Sequence, residues 1–356
     1  MTFDGGYMKH IKRIIFAVIC ITIFFGLQRL LVPKYMSSIF EGALIAEYYK
    51  DPKLHDVIFI GDCEVYSNIS PVILWKNYGI SSHIRGAPQQ LIWQSYYLLR
   101  DTLRFETPSV VVLSVLAMKY DEPQNEAYNR LNIDGMRFSR YKLGAAKASA
   151  TDGESVLSYI FPLFRFHDRW RDINAYDFRY FFRRGRVGIA GYMLRADVRP
   201  AGFIPGGRRL PDYSFGEKSF KYLERITALC RENNIKLVLF KAPSLYPYWH
   251  SAWDEQIVHY AKENGLLYIN TLEHLDEIGI DFSIDTFNGG LHLNVYGAEK
   301  LADFLGKILQ NYVPDRRLSQ EHAALWDERI RAYNWLKEVQ QREFIEYGRI
   351  LTFRWK

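Results

Sequence analysis

A doubly wound parallel α/β sheet is predicted by three observations. Short apolar runs rich in β-branched residues recur at residues 57–60 (VIFI), 110–113 (VVVL) and 235–240 (IKLVLF). Such runs, apolar on both faces, are how strands buried in a parallel sheet read. Segments with helical spacing stand between them, the alternation of a parallel α/β domain. Loop chemistry follows the strand ends: Gly61-Asp62-Cys63, Arg85-Gly86-Ala87-Pro88, Lys241-Ala242-Pro243-Ser244, and the loop DTFNGGLHLN at 285–294. In open α/β sheets, ligands bind at that edge.

The 356 residues suffice for one large α/β domain with insertions. With 48% hydrophobic and 24% charged residues the chain is globular. Its net charge of +6 comes without a nucleic-acid motif, and a polyanionic surface of lipid headgroups or cell-wall polymer is the fitting partner. The three cysteines, Cys20, Cys63 and Cys230, make neither a disulfide framework nor a zinc spacing. No metal and no cofactor is expected.

In chain order, residues 1–13 are a basic N-terminus (Lys9, His10, Lys12, Arg13) and 14–32 an apolar segment of bilayer-spanning length. The positive-inside rule puts the N-terminus in the cytoplasm and the body outside. A cleaved signal peptide is the alternative; only Met36-Ser37-Ser38 approaches a small-x-small site, which favours an uncleaved anchor. Residues 33–55 read as a linker with a helix over 37–49. Residues 56–120 and 214–313 form the α/β domain. Its first half has strands at 57–60, 81–84 and 110–113. Ser70 caps a helix that opens on Pro71 and runs over 71–78, and a second helix covers 90–105. The second half has helices at 218–233, 254–264, 272–278 and 298–312, and strands at 235–240 and 265–270. Residues 121–213 lose the strand pattern and alternate Arg with Tyr and Phe. They read as a largely helical insertion capping the sheet, its basic–aromatic mix suited to an anionic glycan or to a solvated helix face. Residues 314–356 are a charged helical tail that packs on the domain or meets a partner.

Cys63 stands at the first strand's carboxyl end, as a nucleophile or as a small buried filler. The helix that follows favours its thiolate, whereas Asp62 and Glu64 oppose it, so activation rests on a histidine. His292, in the Gly-rich loop, is the candidate base. Gly289 and Gly290 let Asp285 or Asn288 fold back to hold the ring, the third role in Ser-His-Asp and Cys-His-Asn sites. Asp62, Lys241 and His167 are further candidates for substrate contact. Lys241 reads equally as a solvated lysine, and for His167 a helix-packing role outweighs one in lining the site.

The block around Gly61-Asp62-Cys63, through Tyr66 and Ser70-Pro71, resembles the first block of the SGNH (GDSL-type) hydrolases, with Cys63 at their serine. It is closest to the membrane-anchored branch that works on cell-surface polymers beside membrane-bound O-acyltransferases. Gly86 matches the second-block glycine whose N–H serves the oxyanion hole, and His292 matches the last-block base. The resemblance implies an SGNH/flavodoxin-like three-layer fold and an oxyanion held by the Gly86 and Cys63 N–H groups. Three departures stand out: Gly289 occupies the usual acid position, no Gly-x-Asn-Asp follows residues 110–113, leaving Ser114 as the nearest polar residue, and serine is replaced by Cys63. The implied activity is an acyl esterase or O-acyltransferase on a cell-surface or cell-wall glycan. The alternative is a degenerate scaffold that binds glycan or partners a membrane-bound O-acyltransferase.

Overall fold

The structure, a computed structural model, describes residues 5–31, 44–182, 188–314 and 319–353. Five parallel strands lie in the order β2-β1-β3-β4-β5: β1 (Val57–Gly61), β2 (Ser82–Gly86), β3 (Val110–Ser114), β4 (Lys236–Lys241) and β5 (Leu267–Asn270). The order reverses between β1 and β3, and the carboxyl ends of those two strands flank the crevice where such sheets take ligands.

Alternate residues of each strand feed two apolar layers. Val57, Phe59, Val110, Val112, Val238 and Phe240 pack with α3 (Cys63–Tyr66), α4 (Pro71–Tyr78), α14 (Val295–Leu309) and α15 (Gln320–Tyr347). Ile58, Ile60, Val111, Leu113, Leu237 and Leu239 pack with α5 (Ile92–Thr102), α11 (Glu217–Glu232) and α12 (Ser251–Asn264). Truncating Phe59 to Ala would leave a cavity costing about 3–5 kcal/mol. The charged tail belongs to the first layer: Trp326 of α15 stacks on Trp75 at 5.2 Å.

The segment expected to be wholly insertional divides in two. Helices α6 (Glu126–Asp134), α7 (Arg140–Ser149) and α8 (Val156–Ile160) pack together on α5 through α7, and α9 (Leu163–Phe166) and α10 (Ala175–Phe182) lie against the N-terminal helix. Residues 188–197 instead run along the sheet edge, where Ala190 O accepts the Ile84 N–H and Tyr66 O accepts the Met193 N–H. Ile189, Tyr192 and Leu194 are core residues. An edge strand must satisfy its outward N–H groups, and this segment does so at Ile84 of β2.

α1 (Gly5–Leu31) is a single helix long and apolar enough to cross a membrane, with Ile14, Phe16, Ile19 and Phe25 exposed. The linker helix expected over 37–49 lies outside the described residues up to 43. Beyond them the chain forms α2 (Leu44–Glu47) and one 3-10 turn. Among the short helices, α13 (Leu275–Ile278) follows a 3-10 turn.

Candidate active site

β1 ends in a glycine because β3 leaves no room for more. A Cβ on Gly61 would stand 2.5 Å from the Ser114 Cβ. Asp62 then caps α3, its carboxylate accepting the Glu64 N–H at 3.0 Å. Cys63 is the first residue of α3, half-buried and not in a disulfide. With only four residues, α3 gives the thiolate little dipole support.

Beneath the thiol lies a buried charge network. Lys241 Nζ meets Glu64 Oε1 at 2.5 Å, both side chains essentially inaccessible, and also donates to Ala242 O at 2.7 Å. The Ala242 N–H reaches Glu64 Oε2 at 3.2 Å. Ser114 Oγ donates to Asp62 Oδ1 at 3.3 Å and to Glu64 Oε2 at 3.4 Å. Glu64 is therefore ion-paired with Lys241, which offsets the opposition to the thiolate that its place in sequence suggested. Lys241 is a correction to the substrate-contact expectation: fully buried, it balances Glu64 and cannot meet substrate. Ser114 likewise holds the two carboxylates from behind, and its hydroxyl is not turned to an oxyanion. Burial, then the Glu64 charge, raises Asp62 to about 7. It is buried, so its part is to position and charge the turn.

Gly86 pairs in register with Gly61, and a Cβ there would lie 2.9 Å from Val65 Cγ2 and 3.1 Å from Gly61 O. The glycine thus lets α3 close onto the end of β2.

The histidine loop is folded by two left-handed glycines, Gly289 (φ +75°) and Gly290 (φ +94°). Thr286 Oγ1 donates to His292 O at 2.8 Å and accepts the Gly290 N–H at 2.8 Å. Asn288 then meets His292 twice: its Oδ1 accepts the His292 N–H at 2.8 Å and its Nδ2 lies 2.8 Å from ring Nδ1. Because Oδ1 is committed to the backbone N–H, Nδ2 must donate to Nδ1. The ring proton of the neutral imidazole then sits on Nε2. Nε2 is buried without a hydrogen-bond partner, so the imidazole and the Cys63 thiol are not bonded to each other. Burial, then the Arg195 guanidinium, lowers His292 to about 3. The ring also stacks on Phe287 at 5.6 Å.

Asp285, the other candidate to orient the ring, faces away. Its Oδ2 accepts from Lys300 Nζ at 2.7 Å and from the Asp281 N–H at 2.8 Å, and Asn288 alone of the two holds His292. The loop is tied to the first block through Asn68, which is wholly buried: its Oδ1 accepts the Leu293 N–H at 2.8 Å and its Nδ2 reaches Ser244 Oγ at 3.4 Å. His167 is apart from these groups. It is exposed, with Nδ1 3.2 Å from Phe164 O, in the turn packed on the end of α1.

Two residues unforeseen from sequence act on the thiol's surroundings. Burial lowers the Lys119 ammonium to about 8 against the pull of Asp62 and Glu64, and Cys63 also acts on it. Burial, Asp62 and Cys63 raise the Tyr120 hydroxyl to about 12. Both follow β3 and stand on the crevice side of the sheet, the one signal that would have found them. A metal has one candidate cluster among the described residues, Asp51, His55 and His83, at the opposite ends of the strands. Arg329 already holds Asp51 at 2.5 Å and Glu106 holds His55 at 2.9 Å, so the cluster is internally neutralised.

No family model matches the chain, and no curated protein sequence matches it. Among solved structures it is similar to a protein of Desulfitobacterium hafniense DCB-2 described as a G-D-S-L family lipolytic protein, at 12% identity and TM-score 0.36 over 73% of this chain and 100% of that one. It is similar to a protein of Bacteroides fragilis NCTC 9343 described as an acylhydrolase, at 12% identity and TM-score 0.36 over 79% and 97%. A GDSL-like lipase of Bacteroides thetaiotaomicron VPI-5482 is similar at 13% identity and TM-score 0.33 over 75% and 98%.

Proposed function

We propose that this chain is a membrane-anchored, extracytoplasmic enzyme of the SGNH type that moves or removes an acyl group on a cell-surface or cell-wall glycan. Cys63 Sγ attacks the acyl carbonyl, a thioester forms, and the donor's alcohol or thiol leaves. A glycan hydroxyl or water then takes the acyl group and frees the thiol. The observation that carries the reading is the Asn288–His292 pair. A half-buried imidazole fixed through Nδ1, with a buried Nε2 left without a partner, is unfavourable unless something else binds there. In the orientation described, Nε2–H is a donor suited to a thiolate or to the oxygen gaining charge in the transition state. To accept the thiol proton instead, His292 must shift its own proton to Nδ1 while Asn288 turns its oxygen to the ring. With its ammonium lowered to about 8, Lys119 in its neutral amine form is a second group able to take that proton as pH approaches 8. The Gly86 and Cys63 N–H groups remain the proposed oxyanion donors.

Incubation with an activated acyl ester or a fluorophosphonate should label the wild type on Cys63 and leave Cys63→Ala unlabelled. Equal labelling of both would sink the assignment.

A second reading is a non-catalytic scaffold that binds glycan or partners a membrane-bound O-acyltransferase. It is favoured by the missing bond between thiol and imidazole. On that reading Cys63→Ala leaves both acyl-ester turnover and the glycan's acylation in cells unchanged.

A further inference from the structure

The last two turns of α1 are not bare. Phe24, Gln28 and Leu31 share one helix face, and they meet residues between Phe161 and Arg169, from the turn before α9 to the 3-10 turn after it. Phe24 and Phe161 rings lie 5.8 Å apart, Gln28 Oε1 accepts the Leu163 N–H at 3.2 Å, and Leu31 O accepts from Arg169 at 3.2 Å.

The length of α1 fixes where the bilayer edge falls relative to these contacts. The uncharged run at residues 14–27 covers about 21 Å, short of the roughly 20 residues that a 30 Å hydrocarbon core requires. The remainder of the span lies outward of residue 27 or inward of residue 14. Phe24, three residues inside the outer end of that run, then lies at least about 5 Å below the outer edge in either register. In both registers Phe161 packs against a level of the helix that is inside hydrocarbon.

The exposed side chains on the elements beside α1 suit that depth. Leu157 is 58% exposed, Phe164 56%, Trp170 62% and Phe178 49%. Phe164, Trp170 and Phe178 stand on three successive elements that each pack against α1, and Leu157 on the helix that packs on the first of them. Large exposed apolar groups grouped in this way mark an interaction surface, and aromatic rings favour the membrane–water boundary. The Arg171 guanidinium sits 5.2 Å from the Trp170 ring centroid, a cation beside an aromatic ring. Within residues 155–178, Arg165, Arg169 and Arg171 are balanced by Asp168, Asp172 and Asp177. Apolar burial therefore outweighs charge as the driving force.

We propose that residues 155–178 form a collar inserted into the outer headgroup–acyl boundary beside α1. The occupant of this surface is lipid, zwitterionic lipid included. The proposal rests on the reading of α1 as a membrane anchor. Because α8 packs on α6 and α7, and α7 on α5 of the α/β domain, the collar holds that domain to the bilayer at a second place beyond the anchor itself.

The test places the photoreactive residue p-benzoylphenylalanine singly at positions 164, 170, 178, 19 and 258 of the full chain, in phosphatidylcholine nanodiscs. Ile19 is in the middle of α1, and Val258 is exposed on α12. After irradiation, lipid adducts are expected at 164, 170 and 178 at yields within a few-fold of position 19, with background at 258 and no loss in high salt. Adducts at 19 with only background at 164, 170 and 178 overturn the collar and leave the anchor standing. Adducts at twice the chain mass from 164 or 170 overturn it in favour of a second copy on this face. Background at 19 removes the anchor, and the collar with it.

Discussion

Replacing Asn288 by Asp changes one atom facing His292 and reverses the chemistry of the ring. In the wild type the carboxamide oxygen accepts the His292 N–H at 2.8 Å and the amide nitrogen sits 2.8 Å from Nδ1, leaving the neutral ring protonated at Nε2. An aspartate of the same shape has an acceptor on both sides, so the ring must present Nδ1–H and Nε2 becomes the basic lone pair. The new charge also favours imidazolium. An opposite charge at this range raises a pKa by about 1–3 units, about 1.4–4 kcal/mol of preferential stabilisation of the charged form. His292 should move from its lowered value of about 3 to the range of about 4–6. Ring ¹⁵N shifts followed over pH, assigned with His292→Gln, read both tautomer and pKa. Alkylation of Cys63 should extend to lower pH in the variant. A wild-type ring already protonated at Nδ1, or a variant with unchanged tautomer and pKa, would refute the reasoning.

Asp62 is held near 7 in the fold against an ordinary 3.8. The folded state therefore keeps one extra proton between those values, and stability falls as pH rises through that window. Asp62→Asn should be more stable than wild type by roughly 2–4 kcal/mol above pH 7 and no more stable below pH 4, as read by denaturant titration at the two pH values. Lys241→Met leaves Glu64 buried without its cation and should cost about 3–5 kcal/mol, whereas Lys241→Met combined with Glu64→Leu recovers most of the loss. Parallel loss in the single and double variants would contradict the pairing.

The apolar runs at 57–60, 110–113 and 235–240 are legible as strands because alternate residues are buried on both faces, and the helix at 71–78 because Ser70 and Pro71 mark its start. β2 extends to Gly86, past the expected end at 84. Arg85 looks like a strand terminator, yet it is buried by Leu98 O, Asp101 and Thr102 of α5. Residues 188–197 carry no periodic pattern, and only tertiary pairing with Ile84 and Tyr66 brings them to the core. The site was legible as positions along a sheet edge but not as partners. Glu64 and Lys241 are 177 residues apart, so a loop lysine and a flanking acid gave no sign of being one buried pair. Asn288 rather than Asp285 meets the imidazole because the left-handed Gly289 and Gly290 bring the loop back by four residues, while Lys300 claims Asp285.

The central claim is that Cys63 carries the acyl group. The direct measurement is intact-protein and peptide mass spectrometry of the full chain after a brief acid quench from an activated acetyl ester. The account predicts one acetyl group per chain, on the Cys63 peptide, labile to hydroxylamine and lost on chase with a glycan acceptor or water. No acetyl at Cys63, or an adduct of equal yield that survives in Cys63→Ala, would contradict it.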